Sequence, residues 1–136
     1  MTALTAARNT PERAGDVVSY PVKASVKPIL GGIAVLNAGY AAPGTTATGL
    51  IAIGRFEDTV DNTAGANGAV SVEVKRGTFK FGNSAAGDLI AQADVGADCY
   101  IVDDQTVAKT NGTNTRSVAG KIIAVDADGV WVKIGQ

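Results

Sequence analysis

A chain of 136 residues with a net charge of −1 fits one domain with a modest core. Aromatic residues make up only 5% of it and 17 glycines punctuate it, which is typical of short strands and many turns. The single cysteine and the lack of histidine exclude a disulfide framework and any Ser-His or Cys-His catalytic arrangement, and no apolar run approaches the roughly 20 residues of a membrane helix.

The sequence of the N-terminal segment predicts an extended arm. Residues 1 to about 16 show no apolar periodicity, and no charged start or apolar run of a secretory signal. The run Asp16–Val22 is β-like, but Pro21 cannot donate a ladder hydrogen bond, so this strand should lie on an edge or against another chain. We therefore expect an arm with an edge strand, residues 1–28, followed by a β-barrel-like body, residues 29–136.

The body predicts short strands separated by turns. Expected strands are Gly32–Tyr40, broken at Asn37–Gly39, then Leu50–Phe56, Val70–Lys75, Thr78–Phe81, Cys99–Val102, another that begins at Val107, and a hairpin of Val118–Val125 with Val130–Ile134. Residues 42–46 and 58–68 predict loops. Trp131 is expected near the closing edge, where it could seal a small barrel or contact a neighbour.

Three further patterns complete the expected fold. Apolar parity switches between Val74 and Phe79, so a bulge or tight turn is predicted at Arg76-Gly77. The only helical signal is one turn at Leu89–Ala93. Segments that begin with glycine recur at irregular spacing, so no internal repeat is predicted. The expected fold class is all-β: a small β-barrel or β-tulip-like body with an extended N-terminal arm and at most one short helical turn.

Groups that could carry chemistry are few. Cys99 lies in an apolar segment, which favours a small buried side chain over a reactive thiol. The pairs Asp103-Asp104 and Asp126/Asp128 could hold a hard cation or share a proton, but both stand where turns favour aspartate. Gly120-Lys121 lacks the rest of a phosphate-binding loop. We therefore expect no catalytic residue, no cofactor, no metal and no small-molecule substrate.

The charge distribution suggests a basic arm on an acidic body. Residues 1–28 hold four basic and two acidic side chains, and the rest of the chain holds eight and eleven. Ordinary scatter of a few charges is the alternative. Only the arm could contact phosphates, through Arg8, Arg13, Lys23 and Lys27, and such residues more often meet acidic protein surface. No nucleic-acid or membrane partner is expected, because aromatic platforms and basic surface are both scarce.

Four stretches carry a resemblance to a known family: Arg8–Arg13 followed by Gly15-Asp16, Val72–Phe79, Asp94–Val107 and Asp126–Val132. As a set, and along nearly the whole chain, they resemble the capsid decoration or cement proteins of tailed bacteriophages and prophages. The resemblance implies a compact β body with an N-terminal arm, usually trimeric, at three-fold and quasi-three-fold positions of the capsid. It implies no catalytic residues.

The expected function is therefore structural. The chain, made in the bacterial host cytoplasm, would bind the outer surface of a mature phage head as a homotrimer, with the major capsid protein as its other partner. The arm, Thr2 to about Lys27, would extend a coat-protein sheet by strand addition. Expected coat contacts are Arg8, Arg13, Val17, Val18, Tyr20 and Val22, and expected trimer contacts are Phe79, Phe81 and Trp131. A β-structured tail, baseplate or fibre component is the alternative, and a small hydrolase or metal-dependent enzyme is a distant third.

Overall fold

A computed structural model describes residues 2–9 and 15–135 of the chain. Their strands form two antiparallel five-stranded sheets, which confirms the all-β class. In chain order the strands are β1 (Val17–Pro21), β2 (Ile33–Asn37), β3 (Tyr40–Pro43), β4 (Ile51–Phe56), β5 (Ser71–Lys75), β6 (Gly77–Phe81), β7 (Asp98–Ile101), β8 (Val107–Ala108), β9 (Val118–Asp126) and β10 (Gly129–Ile134).

The first sheet has the strand order β1-β5-β4-β2-β3. Its strands alternate buried and exposed side chains, as in β5, where Val72 and Val74 are buried and Glu73 is exposed. The hairpin of β2 and β3 turns through Ala38 and Gly39, both with positive φ, as a type I′ turn requires. One face of this sheet encloses its own core, formed by Val22, Ala34, Ala41, Phe56, Val72 and Val74.

The second sheet has the strand order β6-β10-β9-β7-β8. Its buried side chains include Cys99, Ile122, Val130 and Val132, and they join Ile33, Val35 and Ala42 of the first sheet in one cluster. Because β2 and β3 contribute to this cluster with the face that is turned away from their own core, the two sheets pack together through shared apolar residues. The predicted hairpin around Asp126–Gly129 is confirmed as β9 and β10.

The two sheets have the same strand topology. The structure therefore contains an internal repeat, which corrects the expectation of none. Strands β6 to β10 have the same order in their sheet as β1 to β5 have in theirs. Each sheet also has a register shift beside an equivalent glycine, Gly54 in β4 and Gly120 in β9. A side chain at either glycine would strike the backbone of Lys75 or Lys133, which occupy equivalent positions in β5 and β10.

The chain passes from one sheet to the other at Arg76. Strand β5 ends at Lys75 in the first sheet, and β6 begins at Gly77 in the second. The parity switch in the sequence therefore marks a change of sheet, and not the bulge or tight turn within one sheet that was predicted. The apolar side chains of β5 belong to the core of the first sheet, and those of β6 belong to the cluster that the two sheets share.

The edges of each sheet approach one another without forming a continuous ladder. Val22, just after β1, forms a parallel bridge with Ala41 of β3, and Gly82, just after β6, forms one with Thr106 before β8. Single bridges join the edges, so the described strands form no continuous barrel ladder. Trp131 lies on β10, an inner strand between β6 and β9, and not near an edge as predicted.

Two smaller predictions are corrected, the first of them in residues 85–95. The single helical turn expected at Leu89–Ala93 is replaced by two 3-10 turns, Ala86–Asp88 and Gln92–Asp94. Between them the chain is extended, because the side-chain amide of Asn83 accepts a hydrogen bond from the N–H of Ile90 and donates one to its carbonyl. The buried Ile90 side chain anchors this segment in the core. Likewise Ala42 and Pro43, predicted as loop, belong to β3.

Candidate functional site

The outer edge of β1 carries backbone groups that no strand of the described chain pairs with. On its inner side the ladder with β5 continues to Val22, which donates its N–H to the carbonyl of Val70 at 2.9 Å. Backbone groups alternate in direction along an antiparallel strand, so even-numbered residues of β1 turn towards β5. Val17 and Ser19 therefore turn their N–H and C=O groups outwards. Pro21 is the last residue of β1, and its lack of an N–H predicts the edge position that this strand has.

Residues 2–9 form an exposed segment outside both sheets. They include Arg8, one of the two expected coat-binding arginines, and Leu4, whose side chain is 73% exposed. Arg13, the other arginine, lies outside the described residues. The part of the predicted arm that stands apart from the body is thus shorter than Thr2–Lys27, because residues from Val17 onwards are built into the first sheet.

The four expected coat-contact residues of β1 and its extension differ in what they offer. Val17 is 43% exposed, and Val18 and Tyr20 are half-buried. Val22 is completely buried in the core of the first sheet, so its side chain has no surface to present to a partner. The structure brings the first three together on one edge and removes the fourth from it.

The three expected trimer contacts line one groove, with a volume of about 480 Å³, at the crossing from β5 to β6. Phe81 is buried, and Phe79 is half-buried beneath the guanidinium of Arg55, 4.3 Å from the ring centroid. Trp131 is 36% exposed. Of the three aromatic side chains, Trp131 is therefore the one with substantial surface for a neighbour. The groove is completed by Gly31, Arg55, Lys75, Thr78 and Lys80.

Polar contacts fix the side chains around Trp131. Its indole N–H donates to Asp126 Oδ2 at 2.8 Å, and the Lys80 ammonium lies 5.8 Å from the ring centroid. Lys80 Nζ is also 3.0 Å from Asp128 Oδ1, and this hydrogen bond holds the pKa of the Asp128 carboxyl below its ordinary value. The Asp126/Asp128 pair thus serves the hairpin turn and orients Lys80 and the indole.

The remaining chemical candidates occupy structural positions. Cys99 is completely buried, and burial raises the pKa of its thiol to about 12, so at neutral pH it is a protonated side chain inside the core. Gly120 and Lys121 lie within β9. Across residues 2–9 and 15–135 there is no group of three His, Cys, Asp or Glu side chains positioned to hold a metal ion. The same residues contain no helix long and apolar enough to cross a membrane.

Sequence reasoning missed a pair of basic residues that occurs in both sheets. Lys75 of β5 lies directly opposite Arg55 of β4, and Lys133 of β10 lies directly opposite Lys121 of β9. The signal is present in the sequence as two similar pairs of segments, Ile53–Phe56 (IGRF) with Ala119–Ile122 (AGKI), and Val72–Lys75 (VEVK) with Val130–Lys133 (VWVK). It becomes visible only once the strand register is known.

Comparisons with known proteins identify no relative of this chain: no protein family, no curated protein and no solved structure matches it. The surfaces described above are therefore interpreted from the residues of this chain alone.

Proposed function

We propose that this chain is a structural binding protein that decorates the outside of a mature phage head and stabilises the coat lattice. The observation that carries the proposal is the exposed segment 2–9 upstream of an edge strand whose Val17 and Ser19 backbone groups are open. A coat-protein strand placed along this edge would gain backbone hydrogen bonds, and alternate side chains of β1 would supply specificity. Arg8 would meet acidic coat residues.

Self-association into a homotrimer is the second part of the proposal. Three copies held on one rigid body bind a lattice far more tightly than one, because every contact after the first is intramolecular. A protein that binds only the mature lattice stabilises that state by mass action. Trp131 and the groove it lines are the surface that supports a contact between copies or with the coat. Light scattering on the purified protein measures the number of copies directly.

The decisive experiment mixes the purified chain with mature particles of the phage or prophage that encodes it, produced without this gene. Sedimentation gives occupancy and cryo-electron microscopy gives location. We expect ordered density on the outside of the head at three-fold positions. Density confined to the tail, baseplate or fibres would replace the head assignment with that alternative. Saturating amounts of protein that leave every particle undecorated would refute both.

Two variants test the edge itself. Ser19→Pro removes an outward N–H that the body does not use, and proline is tolerated on an edge strand. We expect head affinity to fall by about tenfold, because a partner carbonyl loses its donor. Ser19→Thr keeps the N–H and is the matched control, with affinity unchanged. Deletion of residues 2–9 should leave a folded body with weakened head binding, and full occupancy by both this deletion and Ser19→Pro would contradict the mechanism.

A further inference from the structure

We infer that the groove at the crossing from β5 to β6, which we call the crossover groove, binds a carboxylate-bearing segment of the partner protein. Its lining includes Arg55, Lys75, Thr78, Phe79, Lys80 and Trp131. The inference rests on the proposed function in one respect, that the partner is a protein which docks along β1.

The charge pattern of the first sheet is unusual because two cations face each other. Lys75 and Arg55 are direct cross-strand neighbours, an arrangement that destabilises a sheet. The second sheet repeats the arrangement with Lys133 and Lys121. There, however, Asp98 of β7 lies directly opposite Lys121 on its other side, with a carboxylate oxygen 2.8 Å from Lys121 Nζ.

In the first sheet, no carboxylate occupies the equivalent position opposite Arg55. The position equivalent to Asp98 is occupied by Ile33, which is buried. Glu57 engages Arg55 from the end of β4, at 2.9 Å, and Lys75 forms no ion pair with any described residue. Of the two repeated cation pairs, the one in the crossover groove is thus left with an ammonium group that a partner's carboxylate could neutralise.

The composition of the groove fits an acidic peptide. Three cations line it, of which Arg55 is paired with Glu57 and Lys80 with Asp128, so Lys75 is the cation left for a carboxylate of the partner. Trp131 and Arg55 are of the residue types that are most enriched in protein-binding surfaces. An extended nucleic acid fits less well, because the chain as a whole carries a net charge of −1 and the groove exposes one substantial aromatic platform.

The crossover groove and β1 meet at Lys75, which lines the groove and belongs to the strand that pairs with β1. Val17, the first residue of the open edge, is the cross-strand partner of Lys75. A partner strand that pairs along Ser19 and Val17 would therefore reach the end of the edge beside Lys75. Acidic side chains just beyond the paired residues would lie over the groove, where both backbone pairing and charge neutralisation contribute to one binding event.

The test uses Trp131 as its reporter, since it is the only tryptophan in the chain and it lines the groove. The probe is a capped hexapeptide of alternating glutamate and valine, and the same peptide with glutamine in place of glutamate is its control. We expect a saturable change in tryptophan fluorescence with the glutamate peptide, weakened by salt. Equal binding of the glutamine peptide, or tighter binding of an oligothymidylate than of the glutamate peptide, would overturn the inference.

Matched variants locate the effect. Lys75→Gln should weaken the peptide by about fivefold, the value of one partly exposed ion pair. Lys133→Gln changes the same residue type at the equivalent position of the second sheet and should leave binding unchanged. If Lys133→Gln weakens binding as much as Lys75→Gln does, the groove is not the site. Thermal melting confirms that both variants are folded.

This assay needs no virus particle, so the two proposals fail separately. Loss of peptide binding with normal head decoration overturns the groove inference and leaves the proposed function standing. Peptide binding that depends on Lys75, in a protein that decorates no particle, supports the groove and refutes the head assignment.

Discussion

Replacing Gly120 by alanine tests whether the repeated bulge is a structural requirement of this fold. Gly120 lies in β9 at the register shift against β7, where the backbone of β10 passes close by. A methyl group there would be 2.1 Å from the carbonyl oxygen of Lys133, whereas ordinary van der Waals contact begins at 3.4 Å. The obstacle is backbone, so no side-chain rotation can relieve it.

The expected cost follows from what must move. Strands β9 and β10 have to separate locally, which adds overpacking strain of about 1–3 kcal/mol. At least one ladder hydrogen bond weakens as well, at about 1 kcal/mol. We therefore expect Gly120→Ala to lower the free energy of unfolding by about 2–4 kcal/mol. For a domain of this size that corresponds to a fall in Tm of roughly 6–15 °C.

Urea unfolding followed by circular dichroism measures this cost. Gly87→Ala is the matched control, because a methyl group at Gly87 meets nothing within 4 Å and the position has no positive φ. Its stability should change by less than about 0.5 kcal/mol. Gly54→Ala, at the equivalent bulge of the first sheet, should resemble Gly120→Ala, since its methyl group would be 2.3 Å from the Lys75 carbonyl oxygen. Wild-type stability of Gly120→Ala would refute the reasoning.

Two further predictions concern the loops. Asn62, which is buried, donates to the carbonyls of Lys23 and Ala66, so Asn62→Ala should cost about 2 kcal/mol in urea unfolding and increase hydrogen exchange in residues 61–68. The pKa of Asp88 is held below its ordinary value of 3.8, chiefly by the Thr110 hydroxyl and then by Arg116. Because a depressed folded-state pKa stabilises the fold above the unfolded value, this contribution should be lost as the pH falls below about 4. Asp88→Asn should flatten that part of the stability profile, and an unchanged profile would contradict it.

The positions of the strands could be predicted from the sequence because period-2 alternation is a local signal. The alternation of Val72, Glu73 and Val74 indicates which side chains face the core, and this indication needs no knowledge of any other strand. The sheet to which each strand belongs is not local information. The predicted position of Trp131 near the closing edge is therefore wrong, because β6 pairs with β10 and makes it an inner strand.

The repeat escaped sequence analysis because its connections differ in length. Residues 57–70 join β4 to β5, whereas only Ala127 and Asp128 lie between β9 and β10. Equivalent glycines, Gly54 and Gly120, consequently stand at unequal distances from equivalent lysines. The open edge was predictable from Pro21, whose missing N–H marks an edge strand. The opposed cations were not, because they become neighbours only through the register of two strands.

Chain connectivity explains why a duplicated fold has different surfaces in its two halves. Strand β1 follows the N-terminal segment, of which residues 2–9 are described and exposed, and it forms one edge of its sheet. Its equivalent, β6, follows β5 after the single residue Arg76 and cannot carry such a segment. That connection also places the end of β5 beside the aromatic side chains of the second sheet and so creates the crossover groove. The two halves share a strand topology, and the junction between them distinguishes the end of the molecule where Lys75 and Arg55 lie beside β1.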